Sequence, residues 1–403
     1  MAGLLADQVK AAPEDEIERL GTDPIPTYPY YRQDYYELEV AAIFRRSWLQ
    51  IGHVCELLEP GDFIVRPVEF ANVSILLTRG PDSVIRAFYN VCTHRGSKLV
   101  LEDAGKQRTF TCQYHSWTFG SDGDLLAAPD FQRFYVDKAR CGLRPVAVDI
   151  CAGLIFVNLD SSPKEGLQDF LGPMAERIKT FAVARATSFS EYVYDIDANW
   201  KLVIDNFQEN YHLRIVHART GGRQSEDNPF GYPTGFEFMG PHSAQTMPMS
   251  GGGDVKPKPV QGLGMAKIVE FAAADGLLGG PYAKDYCVIF PNLFVFGSGM
   301  SPFSLHVTPV SAGKSRGTFR FYWIGEDDSA SKRFAREFVT MMMRDLHAED
   351  RPSIENSHQG ISSGALSHIH FQSQEVPCRH FFHAVNSRVE EYQAALPHKH
   401  LTT

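Results

Sequence analysis

The hydrophobic spacing changes twice along this chain. After a polar opening and the proline-rich GTDPIPTYPYYR, the apolar positions of YYELEVAAIFRRSWLQIG recur at helical spacing up to Trp48, which predicts a helix leading into a first domain. From Gly61 the period shortens. DFIVRPVEFANVSILLTRG, VIRAFYNV and RTFTCQYHSWTF are short β-branched and aromatic runs parted by turn residues such as Ser121-Asp122-Gly123, the pattern of a small antiparallel β domain. GLIFVNLD, ending at Asp160, reads as its last strand and SSPKEG as its boundary.

Beyond that boundary the helical period returns. LQDFLGPMAERIKTFA predicts one amphipathic helix, EYVYDIDANW a strand, and the segment around His212 a helix. Residues 220 to 280 are rich in glycine, proline and methionine with little periodicity, as expected of a mobile lid over a substrate entrance. CVIFPNLFVFG, FSLHVTPV and GTFRFYWIG then alternate as antiparallel strands, with SAGKSRG as a turn. SASKRFAREFVTMMMRDLHAED and VPCRHFFHAVNSRVEEYQAAL predict long helices. The class is α+β, with an antiparallel β domain over 46–162 inserted into a second domain made from 1–45 and 163–403.

Composition narrows the partners. With 403 residues, 43% hydrophobic and 22% charged, the chain can bury a substantial core. A net charge of −9 argues against a nucleic-acid partner and shows no basic run for a membrane surface, although a local basic patch could still dock a redox partner. No signal peptide is apparent and no apolar run is long enough to span a bilayer, so a cytoplasmic location is expected. Seven widely spread cysteines do not suggest a disulfide framework. Cys55, Cys141, Cys151, Cys287 and Cys378 are expected to be buried thiols.

Two stretches carry candidate chemistry. NVCTHRGSKLVLEDAGKQRTFTCQYHSWTF holds Cys92-x-His94 and, after residues 95 to 111, Cys112-x-x-His115. Two thiolates and two imidazoles in this order can bind one zinc or a two-iron cluster in which histidines replace two thiolates on one iron. Zinc fingers pair their cysteines on one loop; here each loop carries one residue of each kind, which suits the cluster. The second stretch, NWKLVIDNFQENYHLRIVH, ends in His212 and His217. On a continuous helix these would diverge by about 140°. If the helix distorts or ends between them, both can meet one ion and leave room for a third ligand.

Together these motifs resemble the large α subunit of the Rieske non-haem iron oxygenases. The CxHRG and CxxYHxW pair, then NWK, DNF and ExxYHxxxxH, occur in the order of that family over nearly the whole chain. Thr93 stands where proline is common and Ser116 where glycine is common. The resemblance implies a Rieske [2Fe-2S] domain inserted into a helix-grip catalytic domain, the cluster being held by Cys92, His94, Cys112 and His115. Mononuclear Fe(II) would be held by His212, His217 and Asp350, the acid in LHAEDRPSIENSHQG. Glu349 and Asp345 are its nearest competitors, and His347 and His358 read as surface or hydrogen-bonded histidines. Glu209 occupies the place of the acid that bridges the two metals and, with Asp205, is a candidate catalytic residue; Asp205 and Phe207 are candidate pocket residues.

The activity implied is terminal oxygenation. O₂ and electrons from an external reductase, with or without a ferredoxin, would hydroxylate an aromatic or other apolar organic molecule, as in aromatic hydrocarbon catabolism. No dinucleotide or flavin fingerprint is evident in the chain itself. Glutamate at position 209 is one methylene longer than the aspartate of many ring dioxygenases and occurs in monooxygenases, which points also to oxidative N- or O-dealkylation. A homotrimer, with or without a β subunit, is implied. The competing readings are a Rieske electron-transfer protein and a zinc-stabilised binding module.

Overall fold

The computed structural model describes residues 14–218, 228–248, 259–277, 285–297, 302–325 and 329–396. The chain divides into two compact units, one formed by 45–170 and the other by 1–44 with 171–403.

The first unit contains strands β1 (Leu49–His53), β2 (Asp62–Val68), β3 (Val73–Arg79), β4 (Ile85–Tyr89), β5 (Ala104–Lys106), β6 (Thr109–Thr111), β7 (Thr118–Gly120), β8 (Leu125–Ala127), β9 (Pro145–Cys151) and β10 (Leu154–Asn158). Seven form an antiparallel sheet in the order β1-β10-β9-β4-β3-β2-β5, and β6, β7 and β8 form a second small sheet. Successive side chains of a strand point to opposite faces. Phe63, Val65, Leu76 and Phe88 accordingly pack with Cys92, Cys112, Trp117 and Phe119, while Ile64, Ile75, Leu77 and Ala87 pack with Ile155 and Val157. Both faces are thus buried, and one supports the cysteine loops.

The second unit holds β11 (Ser188–Ile196), β12 (Gly235–Met239), β13 (His242–Thr246), β14 (Asp285–Ile289), β15 (Leu293–Phe296), β16 (Phe303–Ser311) and β17 (Lys314–Trp323). They make one antiparallel sheet in the order β11-β17-β16-β15-β14-β13-β12. The helices that matter here are α1 (Gln33–Glu39), α2 (Trp200–Gln208), α3 (Leu213–Val216), α4 (Ala330–Ser362) and α5 (Val376–Ala395). α2 packs against β16, α4 and α5, and α4 packs against β11.

Several local expectations need correction. The single helix expected over LQDFLGPMAERIKTFA is two, Leu167–Leu171 and Pro173–Lys179, because Gly172 adopts φ 51° and Pro173 starts the next helix. The stretch read as an aperiodic lid contains the β12–β13 hairpin and a helix, Pro259–Ala274. That helix carries apolar residues around its circumference and two glycines, so no amphipathic period marks it. Residues 220–227, 249–258 and 278–280 of the expected lid lie outside the described residues. The first helix passes into a π-turn at Val40–Phe44 and stops before β1. Cys55 is half-buried, whereas the other six thiols are buried.

α2 starts where Asn199, in extended conformation, accepts a hydrogen bond from Lys201 N at 3.1 Å and donates one to Ala312 O at 2.8 Å. Lys201 then points inward. Its Nζ lies 2.5 Å from Glu39 Oε1, both side chains are fully buried, and Trp200 Nε1 donates to Glu39 Oε2 at 2.9 Å. The rings of Tyr30 and Tyr35 lie 5.3 and 5.8 Å from the ammonium. Removing one member of such a pair strands the other charge. Lys201→Met is expected to lower unfolding free energy by about 3–5 kcal/mol in urea denaturation, and the double variant Glu39→Gln/Lys201→Met to recover most of the loss.

Candidate metal centres

In the first unit the two cysteine loops have the same backbone plan. Cys92 N donates to Ser97 O and Gly96 N to Cys92 O, at 2.8 and 3.0 Å; Cys112 N donates to Trp117 O and Ser116 N to Cys112 O, also at 2.8 and 3.0 Å. Gly96 has φ 78° and Ser116, at the matching turn position, φ 56°. The left-handed turn explains why glycine suits position 116, and a serine there costs about 1 kcal/mol. Thr93 donates its hydroxyl to Cys141 O at 2.6 Å, which ties the first loop to a third segment.

Cys92 and Cys112 are buried, while His94 and His115 lie above them with ring centroids 4.5 Å apart. Trp117 stacks on the His94 ring at 4.8 Å and Phe134 meets it edge-on at 5.4 Å. His94 Nδ1 is buried and has no hydrogen-bond partner among the described residues. Burial raises both thiols; at Cys112 the backbone N–H groups of Tyr114 and His115, together with the Cys92 side chain, outweigh it and hold the thiol below its usual value, whereas at Cys92 burial prevails and the thiol is raised. An inner pair of sulfurs, an outer pair of imidazoles and an unused buried ring nitrogen fit a cluster with thiolates on one iron and histidines on the other.

In the second unit α2 ends at Gln208 and the chain becomes extended at Glu209, with φ −132° and ψ 157°. The one-turn helix α3 follows, with His212 at its N-cap and His217 at its C-cap. The two imidazoles therefore bracket a short helix and do not diverge from a long one; their centroids are 5.3 Å apart. Asp350 comes from the middle of α4, which continues through Pro352. Its Oδ1 lies 3.4 Å from His212 Nε2 and 2.9 Å from His217 Nε2, without the geometry of a hydrogen bond to either. One ligand atom from each residue falls within a 4.8 Å group. Donors bound at about 2.1 Å and right angles lie about 3 Å apart, so the set fits a two-histidine, one-carboxylate metal face.

The other nitrogens are fixed. Glu209 Oε1 accepts from His212 Nδ1 at 2.5 Å, and Glu349 Oε2 accepts from His217 Nδ1 at 2.9 Å. A carboxylate can only accept here, so each Nδ1 carries the proton and each Nε2 offers its lone pair to a metal. Glu209 Oε2 also accepts from the backbone N–H of Tyr211 and, at 3.2 Å, from that of His212. Burial lowers the His212 pKa, but Asp350 and Glu209 outweigh it and raise it to about 9, and a metal ion binding at Nε2 would displace the proton held there. Burial raises Asp350 in turn, and the two histidines hold it down at about 2.

The remaining candidates are placed elsewhere. Asp345 is exposed beside Arg344. Phe207 packs against Phe294 and Phe319 at 5.6 and 5.8 Å. His358 is half-buried, with Ser362 Oγ 3.4 Å from its Nε2. His347 departs from expectation: it is 2% exposed, and neither ring nitrogen has a hydrogen-bond partner among the described residues. It lies at the sheet–helix interface because its helix face packs on β11, which no local spacing discloses. Glu349 was legible only as a neighbour of Asp350; its contact with His217 is tertiary.

Asp205 is not part of the three-residue group. It is buried on α2, where Tyr30 Oη donates to its Oδ2 at 3.1 Å. Burial raises its pKa to about 8. The folded state thus keeps a proton that the unfolded chain releases near pH 4. This stability is complete below about pH 4 and is lost as pH rises through 8. Asp205→Asn, which keeps an acceptor for Tyr30, is expected to flatten that slope and to be more stable than the parent at pH 8 by up to about 5 kcal/mol, as read by urea unfolding at pH 5 and 8.

A cluster-type centre in one unit and a facial metal triad on a helix-and-sheet scaffold in the other define a two-centre iron oxidoreductase. The description "Ring hydroxylating alpha subunit (catalytic domain)" matches residues 183–391, and "Rieske [2Fe-2S] domain" matches 47–145. The chain belongs to the ring-hydroxylating α subunits of the Rieske non-haem iron oxygenases, with a Rieske domain and a mononuclear-iron catalytic domain. It is 36% identical over 215 residues to the carnitine monooxygenase oxygenase subunit of Acinetobacter baumannii, an alignment covering 52% of this chain and 57% of that one. It thereby spans little more than half the length of that relative. To the 2-aminobenzenesulfonate 2,3-dioxygenase subunit alpha of Alcaligenes sp it is 28% identical over 320 residues, 75% of each. A crystal structure of a quaternary ammonium Rieske monooxygenase shares the fold, with a TM-score of 0.74, 24% identity and coverage of 94% of this chain and 99% of that one. No helix among the described residues is long and apolar enough to cross a membrane.

Proposed function

We propose that this chain is the terminal oxygenase of a multicomponent system and that it hydroxylates a small organic substrate with O₂ and electrons from an external reductase, with or without a ferredoxin, in the cytoplasm. The observation that carries this reading is the convergence of His212, His217 and Asp350, with Glu209 and Glu349 holding the outer nitrogens. An electron carrier needs no such open site, which argues against the Rieske electron-transfer reading. Cys92, His94, Cys112 and His115 would hold the [2Fe-2S] cluster, and the triad the iron. The cluster supplies single electrons, and ferrous iron supplies the reaction with dioxygen. The protein's own part is to fix the two imidazoles and the carboxylate on one face and leave the other face to reactants.

Monooxygenation is the first reading, because glutamate stands at position 209 and the carnitine and glycine betaine monooxygenase subunits are among the relatives. Hydroxylation of a C–H bond beside nitrogen would put one atom of O₂ into the product and reduce the other to water with two electrons and two protons; the α-hydroxylated amine then collapses to a carbonyl compound and the freed amine. Dihydroxylation of an aromatic ring is the second reading, favoured by the dioxygenase relative that aligns over three quarters of the chain. The assembly is read as a homotrimer, with or without a β subunit, in which Glu209 faces the neighbouring copy's cluster histidine and so links the two metals.

The deciding experiment supplies the purified chain with NADH, a reductase and ¹⁸O₂ in the presence of carnitine, glycine betaine or an aromatic acid. One labelled oxygen per substrate oxidised supports the first reading and two the second. If no organic compound couples NADH oxidation to product, the electron-carrier reading takes over.

A further inference from the structure

His347 lies three residues before Asp350, on the same face of α4. Its imidazole is buried against Tyr194 of β11, with ring centroids 3.7 Å apart and planes inclined by 39°. Tyr192 and Phe319 form the apolar wall around it, each 6.0 Å away. Tyr194 is itself 5% exposed, and its hydroxyl, like both nitrogens of His347, has no hydrogen-bond partner among the described residues. The β11–β17 register sets Tyr194 opposite Gly317. A Cβ at that glycine would lie 2.1 Å from Tyr194 Cζ and 2.4 Å from its Oη, so position 317 reserves space for the hydroxyl end of the ring.

Buried polar atoms are rarely left unpaired, and three of them gathered in an aromatic wall call for a shared partner. The carboxylate of Asp350 is 5% exposed and lies one turn further along the same helix face from His347. A buried water needs two to four polar neighbours. A hydroxyl, an imidazole nitrogen and a carboxylate supply three.

We propose that His347 and Tyr194 are positioning residues for Asp350, holding one ordered water that donates a hydrogen bond to the carboxylate and fixes the orientation in which it meets His212 and His217. The proposal rests on the metal-site reading above and extends it to the carboxylate: each histidine has its glutamate, and Asp350 has this pair.

The test strips the mononuclear site with a chelator, leaving the cluster in place, and titrates Fe(II) back. Tyr194→Phe removes only the hydroxyl and is expected to weaken Fe(II) binding about 10-fold, with thermal midpoint and cluster absorbance unchanged; His347→Phe is expected to weaken it about 10- to 100-fold. His347→Gln, which restores a donor and an acceptor, should return most of the affinity. The proposal is overturned if the Tyr194 and His347 phenylalanine variants bind Fe(II) as the parent does, including the case in which only KM rises and the pair therefore serves the substrate. Should His347→Phe fail to fold, Tyr194→Phe decides alone. Asp350→Ala is the control: undiminished Fe(II) binding there would refute the metal-site reading itself.

Discussion

Asp350→Ala is expected to reduce substrate oxidation to background while the visible spectrum of the cluster stays that of the parent protein. The carboxylate is the only anionic member of the triad and lies between the two imidazoles, 3.4 and 2.9 Å from their Nε2 atoms. Its loss leaves two neutral nitrogens, and a hard ferrous ion held by two imidazoles alone is bound far more weakly. His212→Ala and His217→Ala should do the same, and each also strands a glutamate that now accepts from its ring. The four cluster residues belong to the other compact unit and share no ligand with the triad. Iron analysis should therefore fall by the mononuclear equivalent alone, with two irons and the sulfide retained. Bleaching of the cluster in these variants would refute the separation of the two centres.

The second large effect is expected from Glu209→Gln: steady-state oxidation about 10- to 100-fold slower, with iron content and cluster colour nearly intact. Glu209 uses one oxygen for His212 Nδ1 and the other for the backbone N–H groups of Tyr211 and His212. Glutamine has one carbonyl oxygen, so it can serve the ring or the backbone, and its amide N–H₂ faces a donor at the other position. The imidazole stays anchored by the metal but loses the charge that polarises it, and any hydrogen-bonded link to a second copy's cluster is cut. Stopped-flow absorbance should show this as slow reoxidation of the pre-reduced cluster once substrate and O₂ are added. Reoxidation at the parent rate would place the electron route elsewhere.

Much of this was legible in the chain. The two cysteine–histidine loops are local: each ligand pair is separated by one or two residues, and the turn that presents it is closed by hydrogen bonds within a few residues. The alternation that buries both faces of the first sheet is likewise written in DFIVRPV and VSILLTR. His212 and His217 were visible as a pair; a helix distorting or ending between them was the expected condition for sharing an ion, whereas α2 ends before His212, at Gln208, and a one-turn helix runs between the two. The Asn199 cap and the extended Glu209 set the two ends of α2 from nearby residues alone.

What the sequence could not decide is which residues of distant segments face one another. Glu349 and Asp350 are adjacent on α4, yet one meets Nδ1 and the other Nε2 of the same imidazole, from 132 residues away in the case of Glu349. That depends on how α4 is rotated against β11 and α2. The same rotation buries His347 beside Tyr194 and seats Tyr194 over Gly317, through a strand register fixed by the whole sheet. Local spacing records the period of an element and the turns that end it. The azimuth of a helix on a sheet is settled by the packing of every side chain between them, so the ligands of the mononuclear site and Glu209 could be proposed from the sequence, while the place of Glu349 on His217 emerged only from the tertiary structure.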